Sequence, residues 1–287
     1  MRLDYISTRG DILPLVNNKY FVAKVDGLTA ATVSMSSNVV GGVDGDSVNN
    51  MQAQPRGIVI DFEIRPDVEV EEAKREILKV VKLKQQGALL WEYKGRKITI
   101  SGKVESVEMP RYTNKAIMQV SLHCEQPYWE DVNFIVSQIS EAINLHYFTD
   151  NNADMLYFPE EGIVFGEYDT IRTKTVYNAG DVAAGLEITV VALDTVTNPI
   201  IYDENGHYFG VGYAARPVVM AKGDTITITT ERKKKSVKMN GVEILDKIKP
   251  LSTWLQLATG DNTFSINSDD ESIMNMYFNL TYKQRYI

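Results

Sequence analysis

The chain has 287 residues, 44% of them hydrophobic and 24% charged, with a net charge of −8. That length suits two domains that each bury a core, and the acidic balance argues against non-specific binding of nucleic acid. The single cysteine, Cys124, excludes an internal disulfide and fits a reducing compartment, and no apolar run approaches the ~20 residues that span a bilayer. The N-terminal "MRLDYISTRG" lacks the apolar core of a signal peptide, so synthesis and folding in the cytoplasm are expected.

Residues 38–50, "NVVGGVDGDSVNN", contain no obvious strand or helix. As a calcium loop beginning at Asp44, the stretch puts Asn49 and Pro55 where Gly and Glu are required. As a phosphate loop it lacks the Lys-Ser or Lys-Thr pair and the helix that follows. It reads as a loop whose glycines permit tight turns, with no small ligand.

The next segments are strongly periodic. "GIVIDFEIR" alternates, with Ile58, Ile60, Phe62 and Ile64 on one face. "DVEVEEAKREILKVVKLK" predicts a helix with an apolar stripe of Val70, Ala73, Ile77, Val80 and Val81, glutamates at its start, lysines at its end and Asp67 as N-cap. "YKGRKITISGKVESVEM" predicts a strand with Ile98, Ile100 and Val104 in phase, slipping before Val107, which suggests a bulge near Gly102. "AIMQVSLHC" points Met118, Val120, Leu122 and Cys124 inward. One helix among about seven strands implies a mostly β, α+β domain over residues 1–130.

Residues 131–145 carry Val132, Ile135, Ile139 and Ile143 at near-helical spacing and predict a short helix, within a helical or extended connection over 131–165. From 166 to 287 the pattern is all β. "GLEITVVA", "DTITITT", "KSVKMNGVEIL", "NTFSIN" and "MNMYFNLTY" are short strands set off by Asn-Gly, Gly-Asp and Asp-Asn turns, as in a jelly-roll or galectin-like sandwich.

No residue pattern points to catalysis. His123, His146 and His207 lie far apart, without the spacing of metal ligands. Glu160 and Glu161 are neighbours in an extended segment and point apart. The basic run 231–238, "ERKKKSVK", reads as a hairpin turn whose lysines protect a sheet edge. "RGD" at 9–11 and "NLT" at 279–281 are short matches that arise by chance. Neither a cofactor nor a metal is expected. Tyr202, His207, Tyr208 and Tyr213 form the one aromatic cluster that could serve as a sugar platform, and ordinary strand aromatics explain it better.

Several stretches, in order, resemble the phage distal tail protein (Dit) family. "VYNAGDVAAGLEITVVALDTVTNPIIYDENGHYFGV" is similar to its second domain through Tyr177–Asp181 and Asn198–Pro199. "MAKGDTITITTERKKKSVKMNGVEI", "STWLQLATGDNTFSIN" and "YKQRYI" continue the likeness. "VVGGVDGDSV", through Gly42, Asp44 and Gly45, and "CEQPYWED" extend it to the first domain, "FPEEGIVFG" resembles the start of the second, and the connection "NLHYFTDNNADMLYF" is longer than the family pattern.

The resemblance implies a non-enzymatic structural role. A first, split-barrel domain with a helix would form a homohexameric ring, and a galectin-like second domain would project outward. The ring would join the major tail tube protein to the tail-tip hub in the virion, with receptor-binding or other baseplate proteins attached and DNA passing through without specific binding. The loop holding Gly41, Gly42, Asp44, Gly45 and Asp46 would lie at a ring interface. A carbohydrate-binding module acting at the host surface is the alternative.

Overall fold

Alternating apolar residues build most strands of the first half into one antiparallel sheet. The computed structural model describes residues 2–38, 44–109, 116–138, 141–143, 167–169, 173–269 and 275–287. Two units divide them: Met1–Val132 with Arg285–Ile287, and Asn133–Gln284.

The strands of the first unit are β1 (Arg2–Ser7), β2 (Ile12–Pro14), β3 (Tyr20–Asp26), β4 (Val33–Asn38), β5 (Ser47–Ala53), β6 (Arg56–Ile64), β7 (Gln86–Tyr93), β8 (Arg96–Glu108), β9 (Ile117–Cys124) and β10 (Trp129–Asp131). Helix α1 (Val70–Val80) follows β6. The sheet runs β2-β1-β7-β8-β9-β6-β3, and β10 adds to β8 through Glu130↔Thr99. As the alternation requires, Ile58, Ile60, Phe62 and Ile64 are buried beside Met118, Val120, Leu122 and Cys124. Helix α1 covers this face with Ala73 and Ile77, and Tyr20 meets Phe62 edge-on at 5.7 Å.

Two details differ from the sequence reading. The helix begins at Val70 with Glu69 in the N-cap position and no side-chain cap, so Asp67 does not cap it. Glu71 and Glu72 in the first turn and Lys79 in the last still complement the helix dipole. The bulge falls between Val104 and Ser106, beyond Gly102. At Gly102 a Cβ would approach Cys124 Sγ to 2.8 Å, so close packing against β9 accounts for that glycine.

The second unit contains β11 (Ile135–Gln138), β12 (Glu141–Ile143), β13 (Glu167–Asp169), β14 (Thr173–Asn178), β15 (Ala184–Ala192), β16 (Val196–Thr197), β17 (Ile200–Asp203), β18 (Tyr208–Gly210), β19 (Val219–Met220), β20 (Thr225–Thr229), β21 (Ser236–Met239), β22 (Val242–Glu243), β23 (Gln256–Leu257), β24 (Gly260–Asn267) and β25 (Met276–Tyr282). One sheet runs β11-β25-β15-β20-β21-β22 and another β14-β24-β17-β18. Ile188, Val190, Ile228, Phe278 and Leu280 from the first share one core with Val176, Ile201, Phe209, Phe264 and Ile266 from the second. The unit is thus an antiparallel two-sheet sandwich, and the whole chain is mostly β.

Three expectations for this half are corrected or fall outside the description. The described residues of the segment 131–145 do not form a helix: β11 pairs Ile135 with Tyr282 and Val136 with Thr281 of β25, and β12 (Glu141–Ile143) follows. Pairing along a central strand prevails over a weak helical spacing among β-branched residues. Residues 231–235 of the basic run lie in the β20–β21 connection and 236–238 in β21, but β22 covers β21, so these lysines do not protect the sheet edge. Residues 144–166, with His146, Glu160 and Glu161, lie outside the described residues, as does Met274.

Strand β26 (Arg285–Tyr286) returns to the first unit and pairs with β10 through Trp129↔Tyr286 and Glu130↔Arg285. The first unit is therefore assembled from two distant parts of the chain. Arg285 fixes the junction with hydrogen bonds of 3.0 and 2.8 Å from Nε and Nη2 to Glu130 Oε1. Among the described residues no helix is long and apolar enough to cross a membrane.

Candidate functional site

Strands β4 and β5 pair antiparallel with each other and, among the described residues, with no other strand, as a hairpin. Val33 pairs with Ala53, Met35 with Met51 and Ser37 with Val48, so these six residues share one face. Ser34, Ser36, Asn38, Ser47, Asn50 and Gln52 occupy the other. The register shifts between Ser36 and Ser37, leaving Asn49 as the extra residue and bringing Val48 into phase with Met51. The apolar face is open to solvent: Met35 is 64% exposed and Met51 65%.

The root of the hairpin is held firmly. At Gly27, with φ of +83°, a Cβ would collide with the carbonyl oxygen of Gly57, so only glycine fits. The Leu28 carbonyl accepts Arg56 Nη1 at 3.2 Å and Trp129 Nε1 at 3.4 Å. Arg56 is buried, its Nε and Nη2 find no acceptor among the described residues, and burial lowers its pKa.

The tip carries part of the loop expected at an interface. Asp44, Gly45 and Asp46 are exposed, while Gly41 and Gly42 lie outside the described residues. Sequence reasoning missed the strands that present this loop. Their serines and asparagines have low strand propensity, and the bulge at Asn49 interrupts the alternation that would have revealed β5.

The aromatic cluster is only partly brought together. Tyr202 and Tyr208 are cross-strand partners with ring centroids 5.8 Å apart, and His207 Nδ1 lies 2.9 Å from Asp203 Oδ2. Tyr208 donates its hydroxyl to the Pro250 carbonyl at 2.7 Å. The His207–Asp203 contact closes the β17–β18 hairpin, and the Tyr208 hydroxyl ties it to the segment at Pro250. Tyr213 sits in a separate loop, bridged to Arg216.

Other chemistry-bearing groups are already engaged. A cleft of about 350 Å³ is lined by Arg2, Leu3, Asp4, Pro14 and Val16, and the Asp4 carboxylate there meets Arg2 Nε at 2.6 Å. Cys124 is fully buried, and burial pushes its thiol up to about 11. Lys19 is raised by its hydrogen bonds to Glu76 and Glu72. Among the described residues no group of three or more His, Cys, Asp and Glu is placed to hold a metal ion.

The residues that carry the family resemblance act as polar anchors of the sandwich. Asn178 is buried, accepts Gly180 N–H at 2.9 Å and donates to the carbonyls of Val182 and Leu257 at 3.2 Å. Asn198 accepts Val218 N–H at 2.8 Å and donates to Asp269 at 2.7 Å. Asn262 accepts Ala258 N–H and returns a bond to its carbonyl. Asp224 accepts Ala221 N–H and Asn240 Nδ2, which lowers its pKa. Each satisfies backbone groups where strands end, so the motif records how the sandwich closes.

Asn198, Asp224 and Asn262 lie in a region that matches a family model, and Asn178 immediately precedes it: residues 179–286 fit the siphovirus-type tail component, C-terminal domain (SPP1_Dit). The second unit is thus similar to the C-terminal domain of siphovirus-type tail components, and the resemblance to distal tail proteins holds. Along its whole length the chain has the fold of the Dit (gp 19.1) protein of phage SPP1, described as a paradigm of the hub adsorption apparatus in phages that infect Gram-positive bacteria. The TM-score is 0.67 at 12% identity, covering 99% of each chain. A chain of the phage P2 baseplate in its activated conformation with calcium is similar at a TM-score of 0.50 and 10% identity, covering 98% of this chain and 97% of that one. No curated protein matches the sequence.

Proposed function

We propose that the chain is a non-enzymatic hub at the tip of a phage tail. Six copies close into a ring through their first units. The ring joins the tail tube to the tip hub, DNA passes through it, and the second units offer attachment to receptor-binding or other baseplate proteins. Asp44, Gly45 and Asp46, with Gly41 and Gly42, belong to the surface by which copies meet.

The observation that supports this reading beyond the family likeness is the β4–β5 hairpin. A two-stranded hairpin is marginal alone, and this one presents valines and methionines to water. Such a face is suited to burial against protein. A ring repeats one such contact around its axis, so modest interfaces add up.

The test is the mass and image of the purified protein at high concentration, alone and with tail-tube and tip-hub partners. Six-fold rings with a central hole are expected. A chain that stays monomeric in every mixture overturns the reading. The carbohydrate alternative has no comparable support, because Tyr208 is already bonded to the Pro250 carbonyl and His207 to Asp203 of its own hairpin. Glycan-array binding that is lost in Tyr208→Ala would restore it.

A further inference from the structure

We infer that the apolar face of the β4–β5 hairpin docks on a second copy of this chain, at the surface around the end of helix α1 formed by Leu78, Leu83, Lys79, Lys82 and Lys84. The inference rests on the ring reading and names the two surfaces that would meet.

A closed ring of more than two copies uses heterologous contacts, so the hairpin must meet a different patch from itself. Outside the hairpin, the large apolar residues exposed on the first unit, among the described residues, are Ile12, Val16, Leu78, Leu83, Tyr93, Val132 and Ile287, the last with its nearest cation in sequence, Arg285, already bonded to Glu130. Charge separates them. Between Gly27 and Pro55 the only charged side chains are Asp44 and Asp46, both exposed at the hairpin tip and without an ion pair among the described residues. Ile12 and Val132 follow Asp11 and Asp131 in sequence, of the same sign as the tip. Val16 lines the cleft that holds Asp4, and Tyr93 already lies under Lys94.

Leu78 and Leu83 differ. Lys79, Lys82 and Lys84 flank them, all exposed and without an ion pair among the described residues. Two carboxylates beyond an uncharged apolar face thus complement three ammonium groups around two exposed leucines. The apolar pairs would supply burial, and the charges would set which end of the hairpin points where. From Met51 to Asp46 the strand spans roughly 16 Å. The hairpin can therefore reach leucines and lysines together.

The test uses separate full-length copies carrying Met51→Cys or Leu83→Cys, mixed and oxidised at high concentration. Cys124 is fully buried and contributes no background. The expected product is a mixed Met51–Leu83 disulfide, and a copy with both substitutions gives a ladder of linked chains. Lys82→Glu with Lys84→Glu should lower the yield about tenfold at low salt, and Asp44→Lys with Asp46→Lys in the other copy should restore it. Rings without the mixed link, or with links only between like copies, overturn the docking and leave the ring reading standing. Mixed links without rings, even with tail-tube and tip-hub partners added, keep the docking and overturn the ring. Neither links nor rings in any of these mixtures overturn both.

Discussion

The Arg96 guanidinium lies 3.4 Å from the centre of the Tyr286 ring, joining the start of β8 to a strand that arrives after the whole second unit. Tyr286 is buried, and its strand pairs with β10. Burial of the ring and the cation–π contact act together. Tyr286→Ala is expected to cost about 3 kcal/mol, as for other large aromatic truncations. Hydrogen exchange checks this, with protection lost in β8 and β10 while β15 and β25 keep theirs. Equal loss in both units would refute a local role.

Asn178 should show the reverse pattern. Its side chain serves three backbone groups in a buried site. Asn178→Ala leaves them without partners, at about 1–3 kcal/mol for each orphaned buried group, discounted where water enters. Thermal unfolding should fall by several degrees through the second unit. Asn178→Asp keeps the acceptor and loses both donors, so it should not rescue.

Gly27 and Gly45 both have positive φ but differ in surroundings. A Cβ at Gly27 strikes the Gly57 carbonyl, whereas one at Gly45 meets nothing within 4 Å. Gly45→Ala is expected to cost only the backbone penalty of about 1–2 kcal/mol. Gly27→Ala should cost clearly more and loosen the hairpin root. Denaturant midpoints of the two variants settle the order, and equal shifts would show that the close approach at Gly57 has no weight.

Alkaline pH should weaken the first unit. Burial raises Cys124 from its ordinary value near 9 to about 11, and Tyr20 to about 12. Both groups are neutral when protonated, so the unfolded chain loses these protons first. Their contribution is full below the unfolded values and is lost as pH rises through the folded ones. Unfolding free energy should therefore decline from about pH 9 to 12. In Cys124→Ala the decline between 9 and 11 should shrink by on the order of 2 kcal/mol. An unchanged slope would mean that the thiol does not titrate as buried.

Legibility followed the strictness of the period. β6, β9 and α1 could be read because each repeats its pattern over two or more turns or alternations. The Asn240–Gly241 turn could be read because both residues adopt positive φ, at +49° and +81°, as a tight hairpin requires. The segment after residue 131 was misread because Val132, Ile135 and Ile139 fit a helix locally, and only β25, far along the chain, decides otherwise. Of the candidate interface, the aspartates and glycine of the tip were legible. The apolar face beside them was hidden, since Met35 and Met51 stand between serines, asparagines and glutamine and acquire a common side only through pairing.

The return of β26 also orders events during synthesis. β10 leaves the ribosome long before its partner, and at ordinary elongation rates roughly ten to thirty seconds separate them. Throughout that interval the β10 edge is open and Trp129 lacks the strand that covers it. The first unit therefore cannot finish before the sandwich has been translated. A chain cut short anywhere in the second unit carries an unfinished first one, so completion of the first unit is withheld until both parts exist.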